Sequence, residues 1–166
     1  VKSPKDAFFP QSENLYTCYR DGKKITIQPE ELRHEDFVVF GMKACDVKGV
    51  EVLDKVFLSE PVDTFYAARR AHGTIVALAC PEPEETCFCK VFGIDCAEPM
   101  ADVATWMVDG ELYWKALTEK GEKLTKAVAS LLTETDDAKV EAEKTAIRAI
   151  VEKLPYSNLS LEGWNG

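Results

Sequence analysis

Four cysteines in the middle of the chain have residue types and spacing that suit metal binding. They are Cys45, Cys80, Cys87 and Cys89, called here the cysteine quartet. Four thiolates are the usual ligands of an iron–sulfur cluster and one of the usual ligand sets of tetrahedral zinc. The spacing matches neither the bacterial ferredoxin run nor the paired knuckles of a zinc ribbon, so spacing alone does not choose the metal.

Other roles for the six cysteines of the chain remain open at this point. Free cysteine is among the most buried residue types, and disulfides are a further alternative. A catalytic thiol at Cys87 or Cys89 would lack an evident base. Cys18 lies in the middle of a predicted strand and best fits a buried position. Cys96 is either a spare thiol or a substitute ligand.

The apolar pattern around Cys45 predicts a β–α–β unit. Residues 37–40 are apolar throughout, which predicts a strand covered on both faces, and residues 74–80 predict a second buried strand. Apolar residues between them recur at threes and fours, as in helices. The predicted helices span 46–58, with Asp46 as the cap, and 63–72, with Gly73 as the terminator.

This unit places Cys45 and Cys80 at one edge of the sheet. Both strands of a β–α–β unit run the same way, so residues just beyond their ends meet at the carboxyl edge. Cys45 also precedes a predicted helix, where peptide N–H groups favour a thiolate. A loop predicted at 81–99 carries Cys87 and Cys89 back to the same edge. The quartet is therefore predicted to converge on one point.

Two hairpins and two C-terminal helices complete the predicted fold. Turn residues at 21–23 and 109–111 predict the hairpins, and apolar residues at helical spacing predict helices over 118–132 and 136–154. The fold class is α/β or α+β, with a mixed sheet that contains the parallel β–α–β unit. The expected regions are a cysteine-bearing domain at 1–117, a helical extension packed on it at 118–155 and a linker at 156–166.

Composition and charge narrow the classes of partner. The chain has 166 residues, of which 46% are hydrophobic, enough for a core without disulfide staples. A net charge of -9 argues against nucleic acid or an anionic membrane as the main partner. No apolar run approaches the roughly 20 residues that cross a bilayer, so we expect a soluble protein. The chain begins with Val1 in place of methionine, as expected for a piece of a longer polypeptide.

Several segments around the quartet resemble a family of iron–sulfur proteins found in anaerobic sulfite reductase and, as the beta subunit, in sulfhydrogenase. The resemblance covers most of residues 1–89 and becomes loose after about Thr118. The segments that carry it are 2–5, 9–11, 40–46, 53–58, 63–70, 80–83 and 86–89.

The resemblance implies an electron-transfer domain of a multi-subunit cytoplasmic oxidoreductase, of the hydrogenase or sulfite or sulfur reductase type, that is not catalytic alone. It also implies that the quartet matches the family's cysteine pattern and binds a 4Fe-4S cluster. Members of this family continue into a ferredoxin-like module, which would begin near Trp164, because this chain lacks a Cys-x-x-Cys-x-x-Cys run. The expected partners are that module and other subunits of the redox complex.

Four basic residues are candidates to offset the charge of such a cluster. A cluster held by four thiolates is anionic, and the glutamates of the 81–99 loop add negative charge, so we expect a low reduction potential. Arg69 and Arg70 are predicted to counter that charge, or else to form a solvated helix face. Lys43 and Lys90 flank the quartet and are alternatives. The competing hypothesis is a structural or docking domain whose cysteines bind zinc or nothing.

Overall fold

The computed structural model of the chain describes residues 3–32 and 34–163. Val1, Lys2 and Trp164, which enter the expectations above, lie outside the described residues. Within them the chain forms four α-helices and six strands in two sheets, which confirms the mixed α/β class. No helix in these ranges combines the length and apolar character needed to cross a bilayer.

The main sheet has the strand order β3-β4-β5-β6 and contains the predicted parallel unit. Its strands are β3 (Phe37–Met42), β4 (Gly73–Leu78), β5 (Val103–Val108) and β6 (Glu111–Ala116). Strands β3, β4 and β5 are parallel, whereas β6 pairs antiparallel with β5 through the predicted hairpin. The crossover from β3 to β4 consists of α1 (Ala44–Phe57) and α2 (Thr64–His72).

Strand β3 is an edge strand, so the prediction that both of its faces are covered is wrong. Val38 and Phe40 are 48% and 60% exposed, while Val39 packs against the core on the other face. An uninterrupted apolar run does not distinguish an edge strand with one bare face from a central strand. The strand also continues through Gly41, at φ 81, to the buried Met42, with a register shift between Phe40 and Met42.

Helix α1 begins two residues earlier than Asp46, which corrects the predicted cap. Lys43 is the capping residue, without a side-chain hydrogen bond, and Asp46 lies in the first turn. Asp46 instead forms an ion pair with Lys5. A carboxylate in the first turn is still favourable because the amino end of a helix carries partial positive charge. The second helix does have a side-chain cap, since Asp63 accepts a hydrogen bond from the Tyr66 N–H at 2.9 Å.

Two hydrophobic clusters form the core on either side of the carboxyl edge. The first lies among α1, α2 and β4 and contains Phe8, Met42, Val47, Val50, Tyr66, Ile75 and Ala77. The second lies between β5 and α4 and contains Ala79, Cys96, Ala97, Ala104, Trp106, Val140 and Ile147. One of the six cysteines is therefore a core residue of the second cluster.

The C-terminal helices pack on the sheet but are shorter than predicted. Helix α3 spans Glu119–Ala127 and α4 spans Ala138–Val151, with a 3₁₀ turn at Ala129–Leu131 between them. The Lys120 ammonium donates hydrogen bonds to the carbonyl oxygens of Arg70 and Gly73, both at 3.0 Å. Helix α3 is thereby attached to the start of β4. The division of the chain into 1–117, 118–155 and 156–166 stays a prediction.

The first hairpin is formed by β1 (Tyr16–Asp21) and β2 (Lys24–Pro29), which make a separate two-stranded sheet. All twelve of its strand residues are exposed. Cys18 is exposed with them, so its predicted burial is wrong. The strand pattern correctly predicted the hairpin, but burial depends on a packing layer that strand propensity does not report.

Candidate metal centre

The two framework cysteines of the quartet lie at the carboxyl edge of the parallel strands, as predicted. Cys45 is in the first turn of α1, directly after β3, and Cys80 follows the end of β4. The parallel register pairs Met42 with Ala77, so the ends of the two strands are level. The Cys80 N–H donates to the carbonyl oxygen of Cys96 at 2.9 Å, which fixes the chain just beyond β4.

The other two members of the quartet lie in the loop after β4. The Cys87 N–H donates to the carbonyl oxygen of Glu84 at 2.9 Å within a turn. Cys89 begins a 3₁₀ turn, Cys89–Phe92, and its carbonyl oxygen accepts from the Ile94 N–H at 3.0 Å. Gly93 ends this turn at φ 65, a backbone conformation that favours glycine. The loop is thus folded back on itself by backbone hydrogen bonds.

The four thiols lie close enough to act on one another electrostatically. Burial raises the pKa of Cys89 to about 11, and Cys45, Cys87 and Cys80 add to that rise in this order. Burial also raises the pKa of Cys80, where Lys43 lowers it and Cys87 and Cys45 raise it further. The structure therefore gathers the members of the quartet at the sheet edge. Three of them are half-buried and Cys45 is exposed.

The gathered thiols do not form a ready coordination sphere. In residues 3–32 and 34–163, no three or more His, Cys, Asp and Glu side chains make a group that could hold a metal ion. The donor set nevertheless suits a thiolate-bound centre by type, because four thiols converge from three parts of the chain. Cys80 and Cys89 are neutral thiols at pH 7 given their raised pKa values, so metal binding would have to release their protons.

Cys96 is a fifth thiol in contact with the quartet. It is 4% exposed, and Cys80 and Cys89 pack against the cluster of buried residues to which it belongs. Burial raises the pKa of Cys96 to about 12, and Cys89 and then Cys80 raise it further. The sequence predicted it as a spare thiol or a substitute ligand only because it lies in the same loop. Its burial behind the quartet had no signal in residue spacing.

Two exposed aromatic residues surround Cys89 in sequence. Phe88 and Phe92 are 52% and 53% exposed, and their ring centroids are 5.6 Å apart. Lys90, between them, is bound to Glu152 at the end of α4 at 2.5 Å. The sequence analysis did not identify this aromatic pair, although two phenylalanines four residues apart next to a candidate ligand are visible in the sequence.

Arg69 and Arg70 lie at the other end of β4 from the quartet. They occupy the last turn of α2, directly before β4, and six strand residues at about 3.3 Å each separate them from the carboxyl edge. Arg69 pairs with Glu13, and the Arg70 Nε donates to both carboxylate oxygens of Asp54 at 3.0 Å. The structure does not bring these arginines to the thiols, and their role in offsetting cluster charge stays a prediction. Of the four basic residues considered, Lys43 is the one that lowers the pKa of a quartet thiol.

Comparisons with known proteins give one informative relationship. No family model matches the chain, and no solved structure gives a significant match. The chain is similar to sulfhydrogenase 2 subunit beta of Pyrococcus furiosus, with 40% identity over 101 residues. That region covers 60% of this chain and 26% of the relative, so the chain spans about a quarter of the length of this curated protein. The predicted resemblance to a sulfhydrogenase beta subunit is therefore confirmed over part of the chain.

Proposed function

We propose that this chain is an electron-transfer domain of a multi-subunit oxidoreductase of the hydrogenase or sulfite or sulfur reductase type. We further propose that the cysteine quartet binds one 4Fe-4S cluster. The observation that carries the proposal is the mutual electrostatic interaction of four thiols at the carboxyl edge of the sheet. The similarity to a sulfhydrogenase beta subunit supports the class of complex.

When bound, the cluster would supply a one-electron carrier with thiolate ligands. The residues of the chain would provide those thiolates and compensate for their charge. Cys45 lies in the first turn of α1, where unpaired N–H groups and the helix dipole favour the deprotonated form. Lys43 favours the thiolate of Cys80. Cys87 and Cys89 lie in the loop, where local backbone rotation would bring their sulfur atoms into range.

The proposed setting follows the same reasoning. The partners would be the other subunits of a cytoplasmic redox complex and a ferredoxin-like module joined through the 156–166 linker. The net charge of -9 favours a protein partner over nucleic acid or an anionic membrane surface. Arg69 and Arg70 would counter the cluster charge only at long range, since both already have carboxylate partners.

Anaerobic reconstitution of the full chain tests the proposal. We expect iron and acid-labile sulfide in equal amounts and a visible charge-transfer absorption band. The double variant Cys87→Ser, Cys89→Ser should lose most of the iron and the band. Cys18→Ser is the matched control, because this thiol is exposed on the separate hairpin, and it should bind as the unaltered chain does. A folded, correctly reconstituted chain with neither iron nor the band would refute the proposal.

A structural or docking domain is the second candidate. The observation in its favour is that burial raises the pKa of Cys80 and of Cys89, so both are neutral thiols unless a metal binds. Metal analysis separates the candidates, because a colourless chain that retains zinc, or no metal at all, supports the docking role. Unchanged partner binding and electron transfer in the intact complex after replacing Cys87 and Cys89 would also favour it.

A further inference from the structure

We propose that Cys96 is a non-ligand thiol whose S–H group donates a hydrogen bond to the sulfur of Cys80 or Cys89 and raises the reduction potential of the centre. The inference rests on the proposed function, because it assigns a role beside the cluster of the quartet. It differs from the family-based expectation, which concerned the four ligands only.

The position of Cys96 carries the inference. Its side chain is 4% exposed and belongs to the hydrophobic cluster against which Cys80 and Cys89 pack. The backbone hydrogen bond of 2.9 Å from the Cys80 N–H to the Cys96 carbonyl oxygen holds these two residues side by side. Cys96 therefore lies on the inner side of the quartet, in contact with two of its members, while Cys45 lies on the solvent side.

The chain around Cys96 is fixed on both sides by helix α4. The guanidinium of Arg148 binds the Asp95 carboxylate at 2.7 Å, and the buried Lys144 ammonium binds Glu98 at 3.0 Å. The indole N–H of Trp106 donates to the carbonyl oxygen of Ala97 at 2.7 Å, which attaches the segment to β5. Because these contacts hold residues 95–98, Cys96 cannot move toward the solvent side of the quartet without breaking them. A position behind two ligands suits a hydrogen-bond donor better than a fifth ligand.

The direction of the effect follows from charge. A thiol in an apolar environment keeps its proton and is a weak hydrogen-bond donor. One electron from a partner's cofactor makes the cluster and its thiolates more negative, and a hydrogen bond to a ligand sulfur stabilises that added charge. The Cys96 proton stays on its own sulfur throughout, so the reduction remains a one-electron step. Removing the donor should therefore make reduction less favourable.

The test compares Cys96→Ala, which removes the donor, with Cys96→Ser, which retains one, in the anaerobically reconstituted full chain. The midpoint potential is measured by a dithionite titration with mediators, monitored by electron paramagnetic resonance. Cys96→Ala should lower the equilibrium constant for reduction threefold to tenfold, and tenfold corresponds to about 59 mV for one electron. Cys96→Ser should stay nearer the unaltered chain. A purely structural role would instead move both variants alike.

A spectroscopic measurement complements the potential. The iron–thiolate stretching bands in resonance Raman spectra should shift when water is exchanged for deuterium oxide, and part of that shift should disappear in Cys96→Ala. Cys18→Ala is the control and should match the unaltered chain in both measurements, since Cys18 lies on the separate hairpin.

Each outcome is decisive for the assignment. Intact clusters with unchanged potentials in both Cys96 variants would overturn the hydrogen bond while leaving the proposed function standing. Loss of the cluster in both Cys96 variants, with the unaltered chain loaded, would also overturn it, because Cys96 would then be required for binding. An unaltered chain that takes up no iron would overturn the proposed function, and this inference with it.

Discussion

Gly121 in α3 packs so closely against the chain before β5 that an added methyl group has no room. A Cβ atom at this position would lie 2.0 Å from the carbonyl oxygen of Asp102 and 2.9 Å from its carbonyl carbon. These are backbone atoms, which cannot rotate aside as a side chain can. The substitution Gly121→Ala must therefore displace the helix or the segment that leads into β5.

The expected cost is the difference between two opposing terms. Alanine is a better helix former than glycine by about 1 kcal/mol. Overpacking of a tightly packed site costs about 1–3 kcal/mol, and a displaced α3 would also strain the two Lys120 hydrogen bonds to the start of β4, worth about 1 kcal/mol each. We expect Gly121→Ala to lower the free energy of unfolding by about 1–3 kcal/mol.

Gly49 in α1 provides a matched control for this prediction. A Cβ atom there would lie 2.9 Å from the Cδ of Lys5, which belongs to a flexible side chain. Lys5 can rotate away, with the loss of its ion pair with Asp46, which is worth about 0–1 kcal/mol at a partly exposed site. This loss roughly offsets the helix propensity gained, so Gly49→Ala should be between neutral and about 1 kcal/mol more stable.

Urea unfolding followed by circular dichroism measures both variants under identical conditions. Similar m-values would show that the same surface is exposed on unfolding, so the two free energies can be compared. The reasoning is wrong if Gly121→Ala is as stable as Gly49→Ala. It is equally wrong if Gly49→Ala loses as much stability as Gly121→Ala, because the flexible neighbour would then not have yielded.

Three further measurements test other parts of the structure. Burial and a hydrogen bond to Asp54 raise the pKa of the Tyr66 hydroxyl. The stability that this group contributes is therefore complete below about pH 10, its unfolded pKa, and is lost as the pH rises through the folded pKa. Unfolding measured from about pH 8 to 11 should show a smaller alkaline loss for Tyr66→Phe. Iodoacetamide should modify the exposed Cys18 of the metal-free chain long before the buried Cys96, as followed by peptide mass spectrometry, and equal rates would contradict the burial of Cys96. Ile147→Ala, at a side chain that is 1% exposed, should cost about 2–5 kcal/mol in urea unfolding, whereas a loss below about 1 kcal/mol would contradict its core position.

The features that the sequence predicted well depend on local chemistry or on general rules of chain geometry. The Asp109-Gly110 pair predicted the second hairpin because both residues take positive φ in its turn. The edge position of Cys45 and Cys80 followed from the parallel direction of strands in a β–α–β unit. Neither prediction needed knowledge of what packs against the sheet.

The predictions that failed depended on tertiary neighbours. The first hairpin and β3 both have strong strand patterns, yet Cys18 and one face of β3 are exposed because no other layer of the described residues covers them. Conversely, Cys96 lies in a loop rich in proline and acid, yet it belongs to the core between β5 and α4. Its burial results from contacts with a helix more than forty residues away, as in the Arg148–Asp95 pair, 53 residues apart. Spacing within the loop contains no information about that helix.

The candidate centre combines a fixed half with an adjustable half, which bears on how it could bind metal. Cys45 and Cys80 are held by α1 and by the end of β4, and Cys96 is held by α4. The hydrogen bond between Cys80 and Cys96 closes the intervening loop at its base, so most of the entropy cost of closing it is already met in the folded chain. Bringing Cys87 and Cys89 into ligand range then requires only local rotations within that loop. The thiols can therefore be gathered without being in coordination, and metal binding would order the loop without rearranging the sheet.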